Sequence, residues 1–136
     1  MDKLTPERRS LLMAKIRAKD TKPEIAVRSM LHRMGYRFRI HRKDLPGTPD
    51  ITLPRHCTVV FVHGCFWHGH SCKDTKMPKT RTEYWTDKIV GNRQRDALKQ
   101  AQLQALGWKI VVVWECELKV PDRLADKLER HLGPQD

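Results

Sequence analysis

The sequence predicts a single α/β domain in which helices flank a mixed central sheet. Two nearly all-apolar, β-branched runs, at residues 57–63 and 108–114, are typical of buried strands. Helical patterns precede, separate and follow these runs, so the predicted element order is α-α-β-β-β-α-β-α. A chain of 136 residues has the length of about one domain, and its hydrophobic fraction of 39% is enough for a packed core. We therefore predict that residues 1–136 form one domain.

The first predicted element lies in a basic arm at residues 1–20. Thr5 and Pro6 predict the start of a short helix. Leu12 and Ile16 give this helix only a narrow apolar face, so it has little to bury against the domain. We expect the arm to become ordered when it binds a partner.

A second helix and two short strands are predicted before the first buried run. Thr21 begins the helix and Gly35 ends it. Residues 36–40 alternate apolar with basic side chains, which predicts an amphipathic strand. Residues 45–49 form a turn rich in proline and glycine, and the turn leads into a short strand at residues 50–53.

The second half of the chain alternates loop, helix and strand. Cys57, where the first buried run begins, is expected to be a small core residue. The Glu117-Leu118-Lys119 triplet is expected to be a solvated strand end. The remaining predicted segments are a loop at residues 64–79, a helix at residues 82–106 that stops at Gly107, a strand at residues 108–114 and a helix at residues 121–132.

The charge of the chain predicts a polyanionic partner. Lys and Arg number 27 against 16 Asp and Glu, which gives a net charge of +11. Nucleic acid is the commonest such partner, and an anionic membrane surface is the alternative. No apolar run approaches the roughly 20 residues that a membrane span needs, and no signal segment is visible. We therefore expect a cytoplasmic protein without a membrane partner, whose cysteines bind metal rather than form disulfides.

A segment dense in cysteine and histidine predicts a zinc site. Residues 65–72 carry four potential soft-metal ligands, which are Cys65, His68, His70 and Cys72. A tetrahedral zinc site needs four nitrogen or sulfur ligands. Cys116, at the end of the last strand, is a plausible further ligand. The spacing leaves open whether His68 or His70 binds, and unligated cysteines in a reducing cytoplasm are the alternative.

Two acidic residues are candidates for a second, harder metal site. Asp50 opens a strand directly after a turn, where the sheet edge holds a carboxylate rigidly, and carboxylate oxygens are ligands of Mg²⁺. The alternative is an aspartate that only caps the turn. Glu24 stands three residues after Thr21, and there a capping box is the simpler interpretation.

The long helix places polar residues on its apolar face. Asn92 and Asp96 share the stripe of Trp85, Ile89 and Leu103. Asp96 is therefore expected to meet a histidine from the neighbouring strand or loop, which it would orient. A helix rotated by about 40° would instead leave both polar residues in solvent.

Phe66 and Trp67 lie in the polar, ligand-rich loop. Aromatic side chains usually pack in a core. On a basic protein, a loop held by zinc is also suited to wedging such rings between base pairs. Both interpretations are open from composition.

Five short motifs form a specific combination. They are PGTPD at residues 46–50, HGCFWHGHSC at 63–72, TRTEYW at 80–85, GW at 107–108 and VWEC at 113–116. This combination resembles the very short patch (Vsr) family of mismatch-repair endonucleases, from about residue 13 to residue 118. The resemblance implies a fold similar to that of type II restriction enzymes, with His63 where their Glu-x-Lys motif has its lysine. It also implies a nick on the 5′ side of the T in T:G pairs left by deamination of 5-methylcytosine.

The resemblance also implies roles for catalytic residues. Asp50 would bind two Mg²⁺ ions with the backbone carbonyl of Val62, and this main-chain contact survives although the family commonly has threonine there. His68 would act on water, while His63 and Asp96 would assist at the phosphate and the leaving group. Glu24 would hold water bound to the metal.

The zinc ligands and the DNA contacts are likewise implied by the resemblance. One zinc ion would be held by Cys65, His70, Cys72 and Cys116. Met13, Phe66 and Trp67 resemble side chains that insert beside the mismatch. Gly69 departs from the longer histidine run of the family and affects the stiffness of the loop. The DNA-binding residues expected are Arg8, Arg9, Lys15, Arg17, Lys19 and Asn92.

The predicted function is therefore a monomeric mismatch endonuclease of the bacterial nucleoid, with double-stranded DNA as partner. Contacts with other repair proteins are also expected. The alternatives are a restriction-type endonuclease that cuts both strands, a nickase with a broader range of mispairs, and a zinc-containing DNA-binding module without catalysis.

Overall fold

A four-stranded mixed sheet organises the part of the chain that the computed structural model describes, residues 21–72 and 80–134. The strands lie in the order β1-β2-β3-β4. β1 pairs antiparallel with β2 and β2 antiparallel with β3, whereas β3 and β4 are parallel. The mixed sheet that the sequence predicted is thereby confirmed. The strands are β1 (Arg39–Ile40), β2 (Ile51–Leu53), β3 (Thr58–His63) and β4 (Lys109–Trp114).

Three helices accompany the sheet in the described residues: α1 (Lys22–Arg33), α2 (Thr82–Ala105) and α3 (Pro121–Leu132). Parallel strands need a long crossover, and α2 supplies it between β3 and β4. α1 begins as predicted, because the Thr21 hydroxyl accepts a hydrogen bond from the amide of Glu24. The bounds of α3 agree with the predicted segment at residues 121–132.

Both faces of the sheet are covered, which explains why β3 is almost wholly apolar. On one face, Val60 and Val113 belong to a core cluster that includes Leu31 of α1 and Leu128 of α3. Val59 belongs to a second cluster, together with Leu103 of α2. Neighbouring residues of a strand point to opposite faces, so an apolar run buries both sides of β3.

Three expectations were wrong in detail. The strand predicted at residues 36–40 is formed only at Arg39–Ile40, because Tyr36 turns inward and its hydroxyl donates to the Gly133 carbonyl. Cys57 is exposed rather than a core residue, since it takes a left-handed φ of 50° at the turn before β3. Glu117 is not a solvated strand end. It lies half-buried in a 3₁₀ turn (Glu115–Lys119), where its carboxylate accepts hydrogen bonds from the Trp114 amide and Lys127.

The predicted basic arm and its helix lie outside the described residues, and so do Arg8, Arg9, Met13, Lys15, Arg17 and Lys19. Within the ranges that are described, no helix is both long and apolar enough to cross a membrane.

Candidate active site and metal centre

One cleft of about 380 Å³ collects every side chain that the sequence marked as catalytic. Five separate elements contribute to it: the first turn of α1, the residue before β2, the end of β3, the loop that follows β3, and the middle of α2. The turn before β2 and the last third of α2 complete the walls. The candidate residues lining the cleft are Glu24, Asp50, Val62, His63, His68 and Asp96.

Asp50 lies at the edge of the sheet that the start of β2 and the end of β3 form, and it is hydrogen-bonded to β3. The Val62 amide donates to its Oδ2 at 2.6 Å. Within a strand, the N–H and C=O of one residue point to the same side, so the Val62 carbonyl also faces this edge. Burial raises the pKa of Asp50 to about 7, the Val62 amide opposes this shift, and the nearby Glu24 carboxylate adds to it. Oxygen donors that repel one another in a desolvated place fit a hard divalent cation such as Mg²⁺.

Glu24 turns its carboxylate into the cleft although it lies in the first turn of α1. The residue is 3% exposed, and Arg28, one turn later, donates to its Oε2 at 3.2 Å. Arg28 also lies 3.0 Å from Nε2 of His41. A guanidinium has no acceptor, so Nε2 of His41 accepts this bond. Sequence reasoning missed Arg28 and His41, although the i,i+4 spacing of Glu24 and Arg28 is a signal for an ion pair.

His63 and His68 form a stacked pair in the cleft. Their ring centroids are 3.8 Å apart and their planes differ by 4°. Nδ1 of His68 lies 2.5 Å from Oδ2 of Asp96. Burial lowers the pKa of His63 to about 4, and His68 contributes in the same direction. His63 is therefore neutral at physiological pH, beside a second imidazole that a carboxylate orients.

These three residues, the histidine–aspartate group, are not arranged to share a metal. Their ligand atoms lie within 4.8 Å of one another, which is close enough for a common ion. A metal binds an imidazole nitrogen close to the plane of the ring, however, and two stacked rings whose centroids lie 3.8 Å apart and whose planes differ by only 4° do not direct their nitrogens at one point. The arrangement instead suits proton transfer, with Asp96 fixing the tautomer and orientation of His68.

The second set is the cysteine cluster, formed by Cys65, His70, Cys72 and Cys116. Its four ligand atoms also lie within 4.8 Å of one another. The parallel pairing of β3 with β4 brings the start of the loop, at Cys65, next to the turn that carries Cys116. Burial raises the pKa of Cys65 to about 12 and raises that of Cys116 as well. Three crowded thiols and one imidazole match the donor set that closed Cys₃His metal sites use, and such a set could bind a metal ion.

The structure decides between the two histidines that the spacing left open. Nδ1 of His70 is 3.6 Å from the Cys116 sulfur. The loop backbone supports this position, since the His70 amide donates to the Cys65 carbonyl at 2.9 Å. His68 faces Asp96 instead. His70 therefore belongs to the cysteine cluster and His68 to the cleft.

The shared face of α2 is confirmed from Ile89 to Leu103. Ile89 and Leu103 are buried, and Asp96 meets His68 as expected. Nδ2 of Asn92 donates to the Trp67 carbonyl at 2.8 Å, so this residue ties the loop to the helix. The alternative rotation, with Asn92 and Asp96 in solvent, is excluded by these contacts.

Four aromatic rings gather where the loop meets the start of α2. Trp85 lies 5.5 Å from Phe66 and 5.7 Å from Trp67, and Tyr84 lies 5.0 Å from Trp85, between ring centroids. Phe66 and Trp67 are half-buried in this cluster and belong to neither core cluster. Trp85 was expected to face the core, but it packs on the loop. Lys88, 6.0 Å from the Trp67 ring, adds positive charge.

Comparison with known proteins assigns the chain to a family. A family model described as DNA mismatch endonuclease Vsr matches residues 1–74. The type II nicking enzyme V.XorIIP of Xanthomonas oryzae pv. oryzae is 56% identical over 98% of this chain and 98% of its own length. V.NmeAIP of Neisseria meningitidis is 46% identical over 95% and 92%, and the DNA mismatch endonuclease Vsr of Escherichia coli is 43% identical over 88% and 76%. The chain belongs to the Vsr family of DNA mismatch endonucleases.

Proposed function

We propose that this chain is a Mg²⁺-dependent endonuclease that nicks one strand of duplex DNA on the 5′ side of the T in a T:G mispair. Membership of the Vsr family makes the chain a DNA-nicking hydrolase. The observation that supports the finer proposal is the convergence of Asp50, His68 and Asp96 in one cleft, from three distant parts of the chain. The reaction would begin the repair of deaminated 5-methylcytosine.

The fold supports this assignment. The motifs imply the arrangement of restriction-type nucleases. In that arrangement, a carboxylate follows a Pro-Gly turn at one strand, and the next strand carries a further functional residue. Here Asp50 precedes β2, and His63 ends β3. We propose a restriction-endonuclease-like domain for residues 1–136, with the basic arm at residues 1–20 ordered on DNA.

Mg²⁺ fits the oxygen donors at Asp50. The Asp50 carboxylate and the Val62 carbonyl would hold two ions with the DNA phosphate, and Glu24 would hold coordinated water. The bound ions would supply positive charge that polarises the scissile phosphodiester and stabilises negative charge on the attacking and leaving oxygens.

The side chains of the cleft would handle protons. His68 accepts the proton of the attacking water at Nε2, because Asp96 holds Nδ1 and stabilises the charge that develops on the ring. His63 is neutral, so it offers one N–H to the phosphate or to the leaving oxygen without adding charge of its own. The stack of the two rings keeps both groups at one phosphate.

The cysteine cluster would hold one structural Zn²⁺ ion. Its ligands Cys65, His70 and Cys72 bracket Phe66, Trp67 and His68 in sequence. A fixed loop would present the two aromatic rings for insertion beside the mismatch, together with Met13 of the arm. A T:G pair is weakly stacked, so separating it from its neighbours costs least there, and insertion would favour the mismatch.

Duplex DNA is the proposed partner, bound by the basic residues of the arm and by Asn92. A nick needs one active site, so a monomer suffices. The substrate places the enzyme in the bacterial cytoplasm at the nucleoid, where contacts with other repair proteins are expected.

The test is nicking of a labelled T:G duplex with Mg²⁺, comparing wild type, Asp50→Asn and the control Asp126→Asn. Asp126 is exposed on α3, away from the cleft. We expect nicks on the 5′ side of the T for wild type and control, and none for Asp50→Asn. Double-strand breaks in paired plasmid DNA would favour a restriction enzyme. Tight binding of all three without cleavage would favour a DNA-binding module.

A further inference from the structure

Trp114 lies between the two functional clusters and contacts both. It is the last residue of β4 and pairs in register with His63 of β3. Its ring stacks on His70 of the cysteine cluster, with centroids 4.1 Å apart and planes within 8°. The same ring meets His63 edge-on at 5.3 Å. A single indole thus fills the space from the predicted zinc ligand to the catalytic pair.

The orientation of His63 depends on such packing. Its Nδ1 is buried and has no hydrogen-bond partner among the described residues. Histidines with a working role usually have one nitrogen held by a partner that sets the ring orientation. Here the ring is held by the His68 stack on one side and by the edge contact with Trp114.

The backbone of Trp114 is itself held by a hydrogen bond to the turn that follows β4. Its amide donates to Oε1 of Glu117 at 2.8 Å, and Lys127 of α3 donates to the same carboxylate at 2.9 Å. The next turn begins immediately after Trp114 and carries Cys116. The indole is therefore attached to a rigid strand end and has little freedom to follow movements of the loop.

We propose that Trp114 is a positioning residue for the nicking reaction: it sets the orientation of His63, and through the stack that of His68, relative to the cysteine cluster. This inference rests on the proposed function. It assigns Trp114 no contact with DNA or with the reacting atoms. The flat aromatic ring of Trp114, rather than the volume of its side chain, positions the two histidines.

The chain offers a matched control at the other end of β4. Trp108 immediately precedes the strand and packs beside the second core cluster, with Arg42 located 5.8 Å from its ring centroid. It lines none of the functional cleft. Both tryptophans are half-buried, so replacing either removes a similar amount of packing.

The experiment compares Trp114→Leu, Trp114→Phe and Trp108→Leu in the zinc-loaded protein. Steady-state nicking at varied concentrations of a T:G duplex gives kcat and KM, and metal analysis gives zinc per chain. We expect Trp114→Leu to lower kcat by about 10- to 100-fold, the range found for residues that orient the histidine ligands of metal sites, with KM and zinc content unchanged. Trp114→Phe should recover most of the rate, and Trp108→Leu should keep it.

A second readout does not need activity. In protein with ¹³C-labelled histidine and no DNA, the NOE signal between the His63 and His68 rings, which reports their stacking, should weaken in Trp114→Leu and stay unchanged in Trp108→Leu. If wild type nicks no duplex, the proposed function fails, and this signal still decides the positioning role. The inference is overturned if the NOE signal is unchanged in Trp114→Leu, if both leucine variants lose the same rate, or if the rate falls only in step with lost zinc.

Discussion

The cysteine cluster and the histidine–aspartate group are neighbours that differ in how their side chains meet. Each has ligand atoms within 4.8 Å of one another, and the loop at residues 64–72 contributes to both. In the cysteine cluster the donors converge on one point, which suits a metal that holds structure. In the histidine–aspartate group two rings lie parallel, which suits side chains that transfer protons. Similar distances therefore serve different chemistry, and ring orientation distinguishes them.

The cysteine cluster and the histidine–aspartate group adjoin because the same loop carries residues of both. The loop makes four backbone hydrogen bonds within residues 64–72, but these internal bonds do not connect it to α2, so the position of His68 depends on further contacts. Three features supply these contacts: the cysteine cluster, the Asn92 bond to the Trp67 carbonyl, and the close contact of Gly69 with α2. Rigid support of this kind keeps His68 within reach of the cleft.

The largest effect is expected from Cys116→Ser, because it should disturb both sets. Serine is a poor zinc ligand, so the protein should lose the zinc ion proposed for the cluster, and structural zinc contributes directly to folding stability. We expect the melting temperature to fall by several degrees, roughly 4 °C or more for each kcal/mol lost. Nicking should fall below detection, since His68 lies on the same loop.

Cys57→Ser is the matched control for this variant, since Cys57 is exposed and outside the cluster. Metal analysis and thermal melting measure both proteins. A Cys116→Ser protein with full zinc and an unchanged melting curve would contradict the structural role of the cluster.

His68→Ala should separate the two sets. General acid–base groups typically contribute about 10²- to 10⁴-fold to a rate. We expect nicking to slow by that factor while zinc content and melting temperature stay at wild-type values, because His70 and not His68 meets the cysteines. Single-turnover nicking and metal analysis measure the two properties, with the exposed His131 replaced by alanine as control. Loss of zinc from His68→Ala would show that His68, and not His70, is the histidine that binds the metal.

Asp96→Asn should have a smaller effect of the same kind. The amide keeps the shape of the side chain but not the negative charge that meets Nδ1 of His68. We expect the nicking rate to fall by about 10- to 100-fold, the range found for carboxylates that orient the histidine ligands of metal sites. Asn92→Ala, which frees the Trp67 carbonyl instead, should change DNA affinity and loop order more than the rate at saturating DNA. Equal rates for wild type and Asp96→Asn would remove the aspartate from the mechanism.

Local patterns predicted the elements well, and long-range contacts were beyond them. The helix at residues 121–132 has periodic apolar residues and β3 has a continuous apolar, β-branched run, so the existence of both follows from the sequence. β1 is shorter than predicted because the Tyr36 hydroxyl donates to the carbonyl of Gly133, far along the chain. The alternation of residues 36–40 gives no sign of this contact. The site has the same division. Motifs marked Asp50 and His68, whereas the roles of His41 and Trp114 depend on partners that no spacing shows.

Gly69→Ala should have the smallest effect, and it tests how tightly the loop is set against α2. Gly69 has a φ of 66°, and an added Cβ would lie 2.7 Å from Cγ2 of Ile89 and 3.0 Å from Cδ of Arg93. A left-handed alanine costs about 1–2 kcal/mol, and the contact with Ile89 adds to that cost.

Gly107→Ala is the control, because Gly107 has a φ of 94° but no atom within 4 Å of an added Cβ. Thermal melting of the two variants isolates the contact from the backbone strain. We expect Gly69→Ala to melt at the lower temperature and to nick more slowly, since a loop pushed away from α2 displaces His68 from Asp96. If both variants lose the same stability and Gly69→Ala keeps the wild-type rate, the loop has room to move, and zinc alone holds His68 in the cleft.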